Sequence, residues 1–177
     1  MSSPSVVRIA TIEDLPEIWR LFRMGFFENS IFSLSHRKAL WHIKRALEPE
    51  KIAPNDGGMR GVIGVIGPPE ALEAAAFLTI ASFWYTEELH IEEYIVLVDE
   101  DHRKSDHAKT MINWMKQQAN EVGLTLVTGI LSNHRTEAKC RLYGRMLPKA
   151  GEFFVVKPKT GMMLTISSAE QNVNRLH

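Results

Sequence analysis

Leu15, Ile18, Trp19, Phe22 and Phe26 fall three or four positions apart, the spacing of one face of a helix. Thr11 and Asp14 stand just before them in a capping-box pattern. Pro16 fits such a helix only in its first turn, which makes Asp14 the alternative cap. A second helix is expected from about Ser35 to Leu47, with Ala39, Leu40, Ile43 and Leu47 inward. Val6–Ala10 is a short strand candidate, and the stretch 48–60, rich in Pro, Gly, Asn and Asp, is a loop.

Farther along, the pattern shifts between the strand and helix periods. Gly61–Ile66 reads as a strand, Pro68-Pro69 as a turn and Leu72–Ser82 as the next strand, although Ala74-Ala75-Ala76 is also compatible with helix. Trp84–Glu88 forms a turn or bulge before the clearest strand, His90–Val98. Ala108, Met111, Ile112, Met115, Ala119 and Val122 share a helix face that stops at Gly123. Leu124–Leu131 is a strand and Thr136 to about Arg145 a short helix. Glu152–Lys157 and Gly161–Ile166 are expected to form a hairpin around Pro158-Lys159-Thr160, followed by a polar tail, 167–177. This order predicts an α/β protein with a mixed sheet in a single domain, 1–166.

Lys plus Arg and Asp plus Glu each total 21, so no excess positive charge favours sequence-independent nucleic-acid binding. No apolar run is long enough to span a bilayer, and Met1–Ser5 lacks the layout of a signal peptide. Cys140 is the only cysteine, which fits a reducing compartment. The expectation is a soluble, cytoplasmic protein without a nucleic-acid or membrane partner. The seven histidines form no metal spacing with Cys140. Gly61, Gly64 and Gly67 are spaced unlike a dinucleotide fingerprint.

The richest chemistry lies between the clearest strand and the helix after it. The loop Asp99–His107 joins Ile95–Val98 to the helix that begins near Ala108. A helix N-terminus presents unpaired N–H groups and a positive dipole end, and Arg103, Lys104 and Lys109 add cations. That combination suits a phosphate or pyrophosphate, and so a nucleotide-bearing ligand. Strand alternation places His90, Glu92, Tyr94, Val96 and Val98 on one face, so only one of Glu92 and Glu93 faces a given side.

With these elements in order, the chain resembles the GCN5-related N-acetyltransferase superfamily from about Val6 to Ile166. Arg8-Ile9-Ala10-Thr11 followed by Asp14-Leu15-Pro16 is similar to a common opening of that family. Its signature loop is Gln or Arg, two residues, Gly, one residue, then Gly or Ala. The frame here is Arg103, Lys104, Ser105, Asp106, His107, Ala108, with Asp106 in place of the first glycine. Leu142-Tyr143 matches a late helical pair, but Leu147-Pro148 stands where a Gly-Phe pair usually follows. Small phage-encoded members look similar.

The resemblance implies a mixed, mostly antiparallel central sheet flanked by helices. It also implies acetyl-CoA, or another acyl-CoA, as co-substrate and direct attack by an amine in a ternary complex. The pantetheine arm would follow the backbone of Val96, Leu97 and Val98, with the N–H near Val96 polarising the thioester carbonyl. The pyrophosphate would sit on the N–H groups of Lys104, Ser105, Asp106, His107, Ala108 and Lys109, beside Arg103. Glu92 takes the family position of the catalytic base, with Glu93 the other carboxylate able to accept a proton. Tyr143 takes the position of the acid that protonates the CoA thiolate.

Trp84, Tyr85, Glu87 and Glu88 form either an acceptor wall or a surface turn. Asn133, His134 and Arg135 form either a cofactor contact or a polar helix-start loop. The acceptor would be a small-molecule or peptide amine, and many relatives are dimers, which makes a homodimer an expectation. Asp106 leaves a second reading open, a family-fold protein without catalysis that serves as a binding or structural module.

Overall fold

The computed structural model describes residues 6–48 and 61–156. Its elements run β1 (Arg8–Ile9), α1 (Leu15–Asn29), α2 (His36–Leu47), β2 (Gly61–Ile66), β3 (Ala74–Ser82), β4 (Leu89–Val98), α3 (His107–Val122), β5 (Thr125–Val127) and α4 (Thr136–Met146). The strands form one sheet in the order β1-β2-β3-β4-β5. Every pairing is antiparallel except β4 with β5, which is parallel. The protein is therefore a single-domain α/β fold with a mixed, mostly antiparallel sheet.

Thr11 and Asp14 do form a capping box, joined to α1 by a short 3-10 turn, Ile12–Asp14. Asp14 Oδ2 accepts a hydrogen bond of 2.8 Å from the Thr11 N–H. Asp14 is fully buried, and its charge is met by both terminal nitrogens of Arg8, at 2.6 and 2.8 Å. Pro16 sits in the first turn of α1, where its missing N–H costs no bond. Gly123 ends α3 in the left-handed region at φ 70°, a conformation cheap only for glycine.

The alanine run resolves as strand because β3 is central, paired on both sides. Ala75 and Phe77 join the core beneath α1 and α2, with Leu21, Ile43, Ile63 and Val65. Ala74, Ala76 and Leu78 join the opposite core, with Met111, Ile112 and Met115 of α3. Small side chains let the helices on both faces approach the sheet. The same economy operates at Gly64, where an added Cβ would lie 2.7 Å from the Trp114 ring.

Three expectations change. β5 is shorter than Leu124–Leu131, because residues after Val127 leave β4 and tie to the end of α1. There Asn133 N donates to Asn29 O at 3.1 Å, and Ser132 Oγ donates to Asn29 Oδ1 at 3.1 Å. Glu152–Val156 forms no strand. The second arm of the expected hairpin and the tail lie outside the described residues, as does the boundary at 166.

The third change is a β-bulge in β4. Phe77 pairs with Ile95 and Leu78 with Glu93, so Tyr94 has no cross-strand partner in β3. The alternation slips by one residue there. Tyr94 turns toward α2, packing on Phe77 and His42, while Val96 and Val98 join the α3-side core with Ile91. His90, Glu92, Tyr94, Val96 and Val98 therefore do not share a face. Glu93, not Glu92, lies on the side of Val96 and Val98.

Candidate active site

β5 pairs with β4 only at His90, Ile91 and Glu92. Beyond that point the two chains diverge, and one edge of β4 from Glu93 to Val98 has no strand partner among the described residues. The gap is a cavity of about 360 Å³. Glu93–Val98 line one wall, Gly129–Ser132 and the α4 residues Ala138, Lys139, Leu142 and Tyr143 another, and Met24, Gly25, Glu28 and Asn29 of α1 a third. Arg103, Ser105 and Ala108 line the end nearest α3. Gly25 lets α1 press against the strand: a Cβ there would meet Leu97 Cδ2 at 2.3 Å.

At the inner end, Tyr143 Oη donates a hydrogen bond of 2.8 Å to Glu93 Oε1. Glu93 Oε2 is buried and has no hydrogen-bond partner among the described residues. Burial pushes the Glu93 carboxyl up to about 7, with the Tyr143 hydrogen bond pulling the other way. Burial, then the neighbouring Glu93 charge, raises the Tyr143 phenol well above its ordinary value, so it stays protonated. The pair thus holds a carboxyl poised near neutrality beside a phenol that stays protonated.

The loop before α3 places its residues in three ways. Arg103, Ser105 and Ala108 reach the cavity, whereas Lys104, Asp106, His107 and Lys109 are not part of its lining. Arg103 Nη2 donates to both oxygens of Glu28, at 2.7 and 2.8 Å, joining the loop to α1. Asp106 points outward and pairs with Lys109 Nζ at 2.6 Å, which holds its carboxyl below the usual carboxylate range. His107 is buried beneath the loop, its Nε2 2.6 Å from Glu73 Oε2. The first N–H groups of α3 have no acceptor within the helix. That of His107 is capped by Ser105 Oγ at 3.2 Å.

Val96, Leu97, Val98, Arg103, Ser105, Ala108 and Tyr143 are therefore brought together around one cavity, and Glu92 is not. Glu92 pairs across the sheet with Thr79, and its charge acts on Tyr94 on the α2 side. The α1 wall and Lys139 were missed by sequence reasoning. Lys139 had a usable signal, since it precedes Tyr143 by four residues on one helix face. Glu28 had none, because its partner Arg103 lies 75 positions away.

No family model matches the chain, and no curated protein matches it. Solved structures do. A ribosomal-protein-alanine N-acetyltransferase from Brucella melitensis biovar Abortus 2308 superposes with TM-score 0.60 at 14% identity, over 88% of this chain and 100% of that one. AAC(6')-Iy in complex with the bisubstrate analog CoA-S-monomethyl-acetylneamine gives TM-score 0.62 at 10% identity, over 89% and 99%. A Clostridium acetobutylicum protein described as a predicted acetyltransferase, solved with acetyl-CoA, gives 0.64 at 11% identity, over 87% and 96%. The fold is that of the GCN5-related N-acetyltransferases. No helix among the described residues is long and apolar enough to cross a membrane.

Proposed function

We propose that the protein is an acyl-CoA-dependent N-acyltransferase that moves an acetyl group from acetyl-CoA to an amine in a ternary complex. The observation that carries this reading is the divergence of β4 from β5, which opens a cavity with a polar pair, Glu93 and Tyr143, at its inner end. The free edge of Glu93–Val98 offers backbone groups to the amides of a pantetheine arm. The N-terminus of α3, with Arg103, offers N–H groups and charge to a pyrophosphate. Asp106 does not oppose this, because its carboxylate points away and is neutralised by Lys109. Two structural neighbours solved with acetyl-CoA or a CoA analog support the choice of donor.

In this reading the base role passes from Glu92 to Glu93, because Glu93 lines the cavity and Glu92 does not. Glu93 takes the proton of the attacking amine, and the N–H near Val96 steadies the developing oxyanion. Tyr143 gives its proton to the departing thiolate and recovers one from Glu93 across their hydrogen bond. The relay leaves the protein in its starting state. An amine panel assayed for CoA thiol release tests it. Glu93→Gln should lower kcat by about 10²-fold or more while Glu92→Gln leaves it within a few-fold. The reverse ranking would return the base role to Glu92.

A further inference from the structure

Lys139 is a cavity-lining amine that the transfer described above does not use. It lies on α4 one turn before Tyr143, on the same face, so their Cβ atoms are roughly 5–6 Å apart. Its ammonium donates to Asn29 Oδ1 and, at 2.9 Å, to Ser132 Oγ. Both partners are neutral oxygens, and among the described residues Lys139 forms no ion pair within 4.0 Å. Lys38, Lys44, Lys104, Lys109, Lys116 and Lys149 are exposed, whereas Lys139 is half-buried. Desolvation holds its amine below the usual lysine range, with the charges of Arg135 and Arg103 acting in the same direction and that of Glu28 opposing. The neutral, nucleophilic form is therefore more populated there than on an exposed lysine.

Lys139 lines the same cavity as Val96, beside which the donor reading places the thioester. The lysine stem is flexible enough to exchange its Asn29 and Ser132 contacts for that carbonyl. We propose that Lys139 is a self-acylation site, taking the acyl group of a bound acyl-CoA when no acceptor amine is present. The inference rests on the donor reading above. The Lys139 nitrogen bonds to the thioester carbonyl carbon, and the carbon–sulfur bond breaks. The electron pair leaves with sulfur as CoA thiolate, and the proton shed by nitrogen neutralises it. The product is an amide, with no change of oxidation state.

The full chain is incubated with acetyl-CoA and no amine, then read by intact mass and peptide mapping, with calorimetric titration of CoA in parallel. The expected result is one acetyl group per chain, on the peptide containing Lys139, suppressed by excess CoA. Lys139→Arg should remain unlabelled. Suppression by CoA is read on the unaltered chain and needs no variant. CoA binding with acetyl spread over the exposed lysines, insensitive to excess CoA, overturns the self-acylation site alone. Absence of CoA binding overturns the donor reading and the self-acylation site together.

Discussion

Tyr143 donates a 2.8 Å hydrogen bond to Glu93, a buried carboxyl whose second oxygen has no partner among the described residues. The β-bulge at Tyr94 makes this meeting possible, because without it Glu93 would not share the α3 side with Val96 and Val98.

Glu93 should cost the fold stability at neutral and alkaline pH. Its carboxyl is raised from 4.5 to about 7, so the native state holds a proton that the unfolded chain releases. Stability is therefore highest below the unfolded value and falls as pH rises between the two. The penalty is on the order of 3 kcal/mol above pH 7, an upper figure for a shift of this size. Glu93→Gln keeps an oxygen for Tyr143 and removes the charge. Its urea midpoint should exceed that of the wild type at pH 8 and match it at pH 4. Equal midpoints at pH 8 would show that Glu93 is not raised.

Tyr143→Phe removes the one hydrogen bond that the Glu93 carboxyl receives among the described residues and should push that carboxyl higher still. Activity requires Glu93 ionised in the proposed relay, so kcat/KM of the wild type should rise with pH through about 7. In Tyr143→Phe that rise should move to higher pH, and the plateau should drop by about 10²-fold with loss of the acid. An unchanged pH–rate profile would remove Tyr143 from the chemistry.

Glu28 holds the Arg103 guanidinium that an anionic donor would use. Glu28→Gln should release it and tighten CoA binding about three- to ten-fold at low salt, on the order of 1 kcal/mol. The gain should shrink as ionic strength rises. Calorimetry at two salt concentrations reads both effects, and weaker binding by the variant would contradict the competition.

Arg8 should support the fold and not the site. It neutralises Asp14, whose side chain is fully buried. Arg8→Met leaves that charge unpaired and should cost about 3 kcal/mol at pH 7. The Arg8 hydrogen bond and the Thr11 contacts hold the Asp14 carboxyl below its ordinary value. Stability from this pair is present above the unfolded value and lost as pH falls through the folded one. Arg8→Met should therefore flatten the acid limb of the unfolding profile, measured by circular dichroism.

The helices and the central strands were legible because their signals are local. A face repeated every three or four residues names α1 and α3, and Gly123 names a stop. The capping box at Thr11 and Asp14 was legible for the same reason. The bulge was not, since Tyr94 loses its partner only through the pairing of β4 with β3, and that slip reversed the facing of Glu92 and Glu93. The early end of β5 was equally hidden, because Asn29 draws Ser132 away from the sheet over a separation of 103 positions, and Asn133 with it. Tyr143 could be singled out by resemblance, but its partner Glu93 depended on long-range packing. The α1 wall of the cavity carried no motif at all.

The central claim is a working donor site, and calorimetric titration with acetyl-CoA, CoA and dephospho-CoA tests it most directly. A site built from the β4 edge, the α3 N-terminus and Arg103 predicts one-to-one binding of acetyl-CoA and CoA with micromolar affinity, about 8 kcal/mol. No heat and no binding at millimolar ligand would contradict it, leaving a protein with this fold and no acyl donor.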